Sequence, residues 1–144
     1  MKARRITVVI LGILLFSLLA GAPVLAQEVV VIANGSVGVD RLDRGTVSDI
    51  YRGNKTSWDD GEIIRVAMLK GGETHETFVR DIVGVTPAQL KNLWKKVIFT
   101  GTGRPPKVFK TEADLAKFVA STRGAIGYVD SATPHEDVKV IAVK

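Results

Sequence analysis

The sequence predicts an α/β domain built on a mixed, mostly parallel sheet flanked by helices, and three observations predict it. Residues 29–33, 63–69 and 138–143 are nearly continuous apolar runs rich in β-branched side chains, the pattern of strands covered on both faces. Between them stand segments whose apolar residues recur at helical spacing, with capping residues ahead of them and glycines behind. The two patterns alternate along the chain, the order that layers helices over a sheet.

The first 26 residues stand apart from that domain. Lys2, Arg4 and Arg5 precede an uncharged apolar run over residues 6–20, and Val24-Leu25-Ala26 then offers a cleavage site, the layout of a secretory signal peptide cut before Gln27. The run is short for a membrane span, which needs roughly 20 apolar residues, so a retained anchor is the weaker reading. The expected organisation is a signal peptide at 1–26 and one domain at 27–144, periplasmic or secreted, with no stable membrane span after cleavage. Removing 26 of the 144 residues leaves 118, enough for one ordinary core. There is no cysteine, which excludes a lipoprotein anchor, disulfides, thiolate metal sites and cysteine nucleophiles. The formal charge of +5 falls to +2 without the three basic signal residues, because 17 Lys and Arg then face 15 Asp and Glu; no nucleic-acid partner is expected.

Within the domain, residues 29–33 end at Asn34-Gly35, a strand closed by a turn and expected at the centre of the sheet. Residues 43–52 carry Val47, Ile50 and Tyr51 at helical spacing, with Thr46 available as a cap, and stop at Gly53. The polar stretch 54–61 is a loop whose large ring, Trp58, is expected to close over the core edge. After the strand at 63–69, Gly71-Gly72 makes a turn, and Thr74 is placed to cap a helix with Phe78, Val79, Ile82 and Val83 on one face, ended by Gly84. Thr86-Pro87-Ala88-Gln89 is a capping box with proline at the first helical position; its helix turns Leu90, Leu93, Trp94 and Val97 inward and ends near Phe99. Residues 101–106 are rich in glycine and proline and cannot continue it, and Val108-Phe109 reads as a short strand or an extended arm. Thr111 starts a last helix with Leu115, Phe118 and Val119 inward, followed by Gly124, the apolar stretch 125–129 and the closing strand at 138–143.

Three blocks carry a more specific likeness: Thr46-Val47-Ser48-Asp49-Ile50-Tyr51-Arg52-Gly53 followed by Trp58, Asp60 and Gly61; Trp94 with Phe99-Thr100-Gly101 and Pro105-Pro106; and Gly124-Ala125-Ile126-Gly127-Tyr128-Val129. In this order and spacing they resemble the I-F-x-G with W-x-D/N-G, the W-x-x-x-x-F-x-G-x-x-x-P and the G-x-I-G-Y-V stretches of phosphate ABC transporter substrate-binding proteins. The likeness runs over about residues 29–143, but it matches one lobe of a family whose full members have two. It implies a single lobe of the type II periplasmic-binding-protein fold, an export signal and a place in phosphate transport. The partners it implies are phosphate or another small anion, and an ABC transporter or second protomer completing the cleft.

In that family the strand before the central helix ends in an arginine and a Ser-Gly-Thr opens the helix, where N–H groups and the positive end of a dipole meet the phosphate. The resemblance places the ligand-binding stretch here at Lys70, Gly71, Gly72, Glu73, Thr74 and His75. Met68 stands where the arginine belongs, Gly72 replaces the serine, Glu73 replaces the glycine, and only Thr74 is kept. Each lost charge-assisted contact removes about 1.5–3 kcal/mol, and an ionised Glu73 repels a dianion. Lys70 remains as a point charge, with His75 and Arg80 nearby. The same residues also read as a plain strand-to-helix turn, with Glu73 at the positive end of the helix.

Two functions follow from these residues: an exported ligand-binding module with an anion near Lys70 to Thr74, or an exported protein-interaction or structural module that has lost ligand binding. An enzyme is not expected, because no serine has a G-x-S-x-G context and no acid–base pair can be placed. His75 and His135 do not form a helical metal pair, and Gly101-Thr102-Gly103-Arg104 lacks the Lys-Ser or Lys-Thr of a nucleotide loop, so neither metal nor cofactor is expected. Trp58, Trp94 and Tyr128 stand in apolar patterns and are expected to pack rather than to carry a ligand.

Overall fold

The computed structural model describes Gly21 and residues 28–144; the signal peptide expected at 1–26 otherwise lies outside the described residues. Strand β1 (Val29–Ala33) leads to the two-residue β2 (Arg41–Leu42), helix α1 (Arg44–Arg52) and strand β3 (Arg65–Leu69). Helix α2 (Glu73–Phe78) runs on into a π-helical turn at Val79–Val83, and α3 (Pro87–Thr100) follows. Strand β4 (Lys107–Phe109), helix α4 (Glu112–Ser121) and strands β5 (Ala125–Asp130) and β6 (Lys139–Val143) complete the order. Among the described residues no helix is long and apolar enough to cross a membrane.

The six strands form one sheet in the order β2-β6-β1-β5-β3-β4. As its continuous apolar run requires, β1 lies inside the sheet, antiparallel to β5 and β6. The pairs β2–β6, β3–β4 and β3–β5 are parallel, which makes the sheet mixed and mostly parallel. Helices cover both faces, and β5 shows how: Gly127 and Tyr128 are neighbours and so point to opposite sides. On the Gly127 side lie Leu115 and Val119 of α4. On the other side Phe78 stacks on Tyr128 with ring centroids 3.8 Å apart, and Tyr51 meets Phe78 edge-on at 4.7 Å. All three rings are fully buried; burying a phenylalanine contributes about 1.5–3 kcal/mol.

The helix starts differ from expectation in two places. At α1 the cap is Asp43, not Thr46: the carboxylate accepts the Thr46 N–H at 2.6 Å and the Thr46 hydroxyl at 3.0 Å. These bonds hold its pKa below the usual value. At α2 the cap position is Gly72, with φ +95° and no side-chain bond, so the helix begins straight after the glycine turn and Thr74 lies inside it, buried. The capping box of Thr86 and Gln89 forms as read, and Thr111 caps α4.

The strands also differ in extent. Ile63 is exposed and joined only by an isolated bridge to Ser57, so β3 starts at Arg65. Strand β6 is covered on one side rather than two, with Ile141 buried and Val140 exposed. Nothing in Arg41-Leu42 announces β2, since two residues cannot display an alternation. Phe99, near the end of α3, is 93% exposed.

Candidate functional site

Parallel pairing brings the carboxyl ends of β3, β4 and β5 to one edge of the sheet, the usual place for a ligand in an open α/β fold. The segment leaving β3 borders two neighbouring hollows that share Leu69 and Gly71.

The smaller hollow, about 350 Å³, lies between the starts of α2 and α4 and is lined by Gly72, Glu73, Thr74, Lys110 and Glu112. Glu112, the first residue of α4, reaches across it. One carboxylate oxygen accepts the Thr74 hydroxyl at 3.4 Å, and the other accepts the backbone N–H of Asp130 at the end of β5. Donors that would suit an incoming anion are therefore already turned to a carboxylate of the chain itself. Glu73, exposed beside them, adds a second carboxylate to the same hollow.

The larger hollow, about 570 Å³, is an open groove between the end of β3, one face of α3 and the Pro105-Pro106 approach to β4. Met68, Leu90, Trp94 and Pro106 make it apolar, while Lys70, Lys91, Lys95 and Glu76 edge it. His75 lines it and is itself 7% exposed. The Tyr128 hydroxyl accepts the Leu69 N–H at 3.0 Å and also lies 2.5 Å from His75 Nδ1, in a hydrogen bond whose donor depends on the imidazole tautomer. Burial lowers the His75 pKa from 6.5, against a raising pull from Glu76, and burial pushes Tyr128 well above 10. Both groups are neutral at pH 7.

The stretch Lys70–His75 is thus divided. Gly72, Glu73 and Thr74 face the smaller hollow, Lys70 and His75 face the groove, and Gly71 borders both. Met68, at the position of the family's arginine, lines the groove. Sequence reasoning missed Glu112 and Lys110: Thr111 marked a helix start, but nothing in the sequence joined that start to the one near Thr74. Trp58 and Trp94 are buried as expected, their Nε1–H groups donating to the carbonyls of Gly124 at 3.0 Å and Tyr51 at 2.8 Å. Trp94 also shows an edge to the groove.

No family model matches the chain, and no curated protein matches it in sequence. Solved structures do match. An ABC-type phosphate transport receptor from Vibrio cholerae superposes with TM-score 0.61 at 19% identity, over 81% of this chain and 46% of its own. A structure from Clostridium perfringens with bound phosphate gives TM-score 0.64 at 19% identity, over 81% and 45%. PstS from Borrelia burgdorferi gives 0.65 at 12% identity, over 82% and 47%. The chain spans less than half the length of each of these proteins. At such identities the likeness is one of architecture, and the described domain has the α/β fold of about half of a phosphate-type binding protein, the single-lobe fold implied by its three sequence blocks.

Proposed function

We propose that the chain is exported by a signal peptide at 1–26 and that its single-lobe domain serves in the cell envelope as a protein-interaction module, not as a receptor for free phosphate. The carrying observation is Glu112. Its carboxylate, which lines the hollow where the resemblance puts the anion, takes the Thr74 hydroxyl and the Asp130 N–H. An added dianion would have to displace Glu112 and also meet Glu73, and no arginine is among the described residues that line the hollow. A lone lobe also covers only one side of a small ligand, whereas tight sites enclose most of it.

The test is isothermal titration of the purified protein with phosphate and with sulfate. The interaction reading expects no saturable heat at millimolar anion; a saturable isotherm with either ion overturns it. One observation favours the second reading, a module that holds phosphate or a similar anion with its cleft closed by another protomer or a transporter: Lys110 borders the same hollow. Under that reading Lys110→Ala abolishes a measurable phosphate isotherm. Under the interaction reading there is none to abolish.

A further inference from the structure

We infer that the groove between α3 and β4 is a docking site for an extended, acidic segment of a partner protein; this rests on the interaction reading above. The first support is the apolar surface, which does not stop at the cavity. Ile98 and Val108 line the groove and are 54% and 52% exposed, and Phe99, next to Ile98 in the chain, is 93% exposed. A small ligand held in the cavity would leave much of this surface wet, whereas a bound polypeptide covers it. Contiguous exposed apolar residues of this kind mark protein contacts.

The second support is the free strand edge. Among the described residues, strand β4 ends the sheet and pairs only with β3. The Phe109 carbonyl accepts the Lys70 N–H at 2.8 Å, so Phe109 turns its backbone groups toward β3, and by alternation Val108 turns its own outward. An added strand would find those groups unpaired, with the groove ready for its alternate side chains.

Charge selects the partner. Lys70, Lys91 and Lys95 border the groove, and its one edging carboxylate, Glu76, already faces Arg80 at 3.9 Å. Lys107 opens β4 and Lys110 follows it, so pairing β4 with its counterpart in a second copy would gather lysines along one seam. The lysines that border the groove, Lys70, Lys91 and Lys95, attract glutamate and aspartate. His75, whose ring Tyr128 holds through Nδ1, adds a polar group to the groove lining.

The probe is a synthetic peptide of alternating valine and glutamate, titrated into the purified protein with Trp94 fluorescence and amide NMR shifts as readouts. Saturable binding is expected, with shifts at Trp94, His75 and Val108 and affinity that falls as salt rises. The glutamine counterpart of the peptide, or the variant Lys91→Glu/Lys95→Glu, should bind at least about tenfold more weakly. Both substitutions are on exposed positions, so the variant keeps the wild-type melting curve. Absence of saturable binding, equal affinity for the glutamine peptide, or shifts confined to other faces overturns the proposal, as does tighter binding of decanoate, a small apolar carboxylate, at the same residues. A partner cross-linked through another face would remove the groove while leaving the interaction reading standing. Saturable phosphate binding would remove that reading itself.

Discussion

At the scale of single residues, the contacts among Leu69, Tyr128 and His75 tie the groove to the core. Tyr128→Phe keeps the ring that stacks on Phe78 but leaves the buried Leu69 N–H without its acceptor, a loss of about 1–3 kcal/mol. It also removes the hydrogen-bond partner of His75 Nδ1, which should show as a change in the His75 ring resonances by NMR. The pH dependence has a definite sign. Because the folded pKa of His75 lies below its ordinary 6.5, the unfolded chain takes up the proton first. The associated stability is complete above 6.5 and is lost as pH falls through the folded value. Melting temperature should therefore fall as pH drops below 6.5, and His75→Gln, which carries no titrating group, should flatten that fall. None of this was legible in the sequence, where His75 and Tyr128 stand 53 positions apart and only the fold makes them neighbours.

At the scale of elements, legibility followed the locality of the signal. The start of α3 is written in four adjacent residues, and both halves of the reciprocal bond form: the Thr86 hydroxyl accepts the Gln89 N–H at 3.1 Å, and the Gln89 side chain accepts the Thr86 N–H at 2.9 Å. Thr86→Ala should cost about 1 kcal/mol in denaturant unfolding. At α2, by contrast, the polar residue best suited to a cap was passed over, because the turn at Gly72 let the helix begin two residues earlier than a Thr74 cap requires. Gly124 is the reverse case, an unassuming turn residue under strict constraint. Its φ is +73°, and a Cβ there would run into the Ile63 carbonyl. Gly124→Ala should therefore destabilise the domain more than Thr86→Ala does, and an equal or smaller effect in the same assay would show that the Ile63 loop yields.

At the scale of the whole molecule, the three sequence blocks prove to be one another's packing partners. Trp58 of the first donates to Gly124 of the third, Trp94 of the second donates to Tyr51 of the first, and Tyr51 packs edge-on against Tyr128. They report architecture, which is why the fold could be read from them at an identity as low as 12% to the Borrelia burgdorferi structure. They do not report the ligand. What an anion would meet depends on Glu73, Thr74 and Glu112, outside all three blocks, and the last of these enters only through the tertiary contact between two helix starts. The fold of a phosphate-type receptor can thus persist around an edge that offers a carboxylate where an anion would go and a lysine-bordered apolar groove beside it.

The most direct test of that claim is an amide NMR titration of one sample, first with phosphate and then with the valine–glutamate peptide. The account predicts no saturable shifts at Gly71, Gly72, Glu73 or Thr74 with phosphate, followed by saturable shifts at Trp94 and Val108 with peptide. Saturable phosphate shifts along Gly71 to Thr74, with Lys110 and Glu112 moving in step, would contradict it.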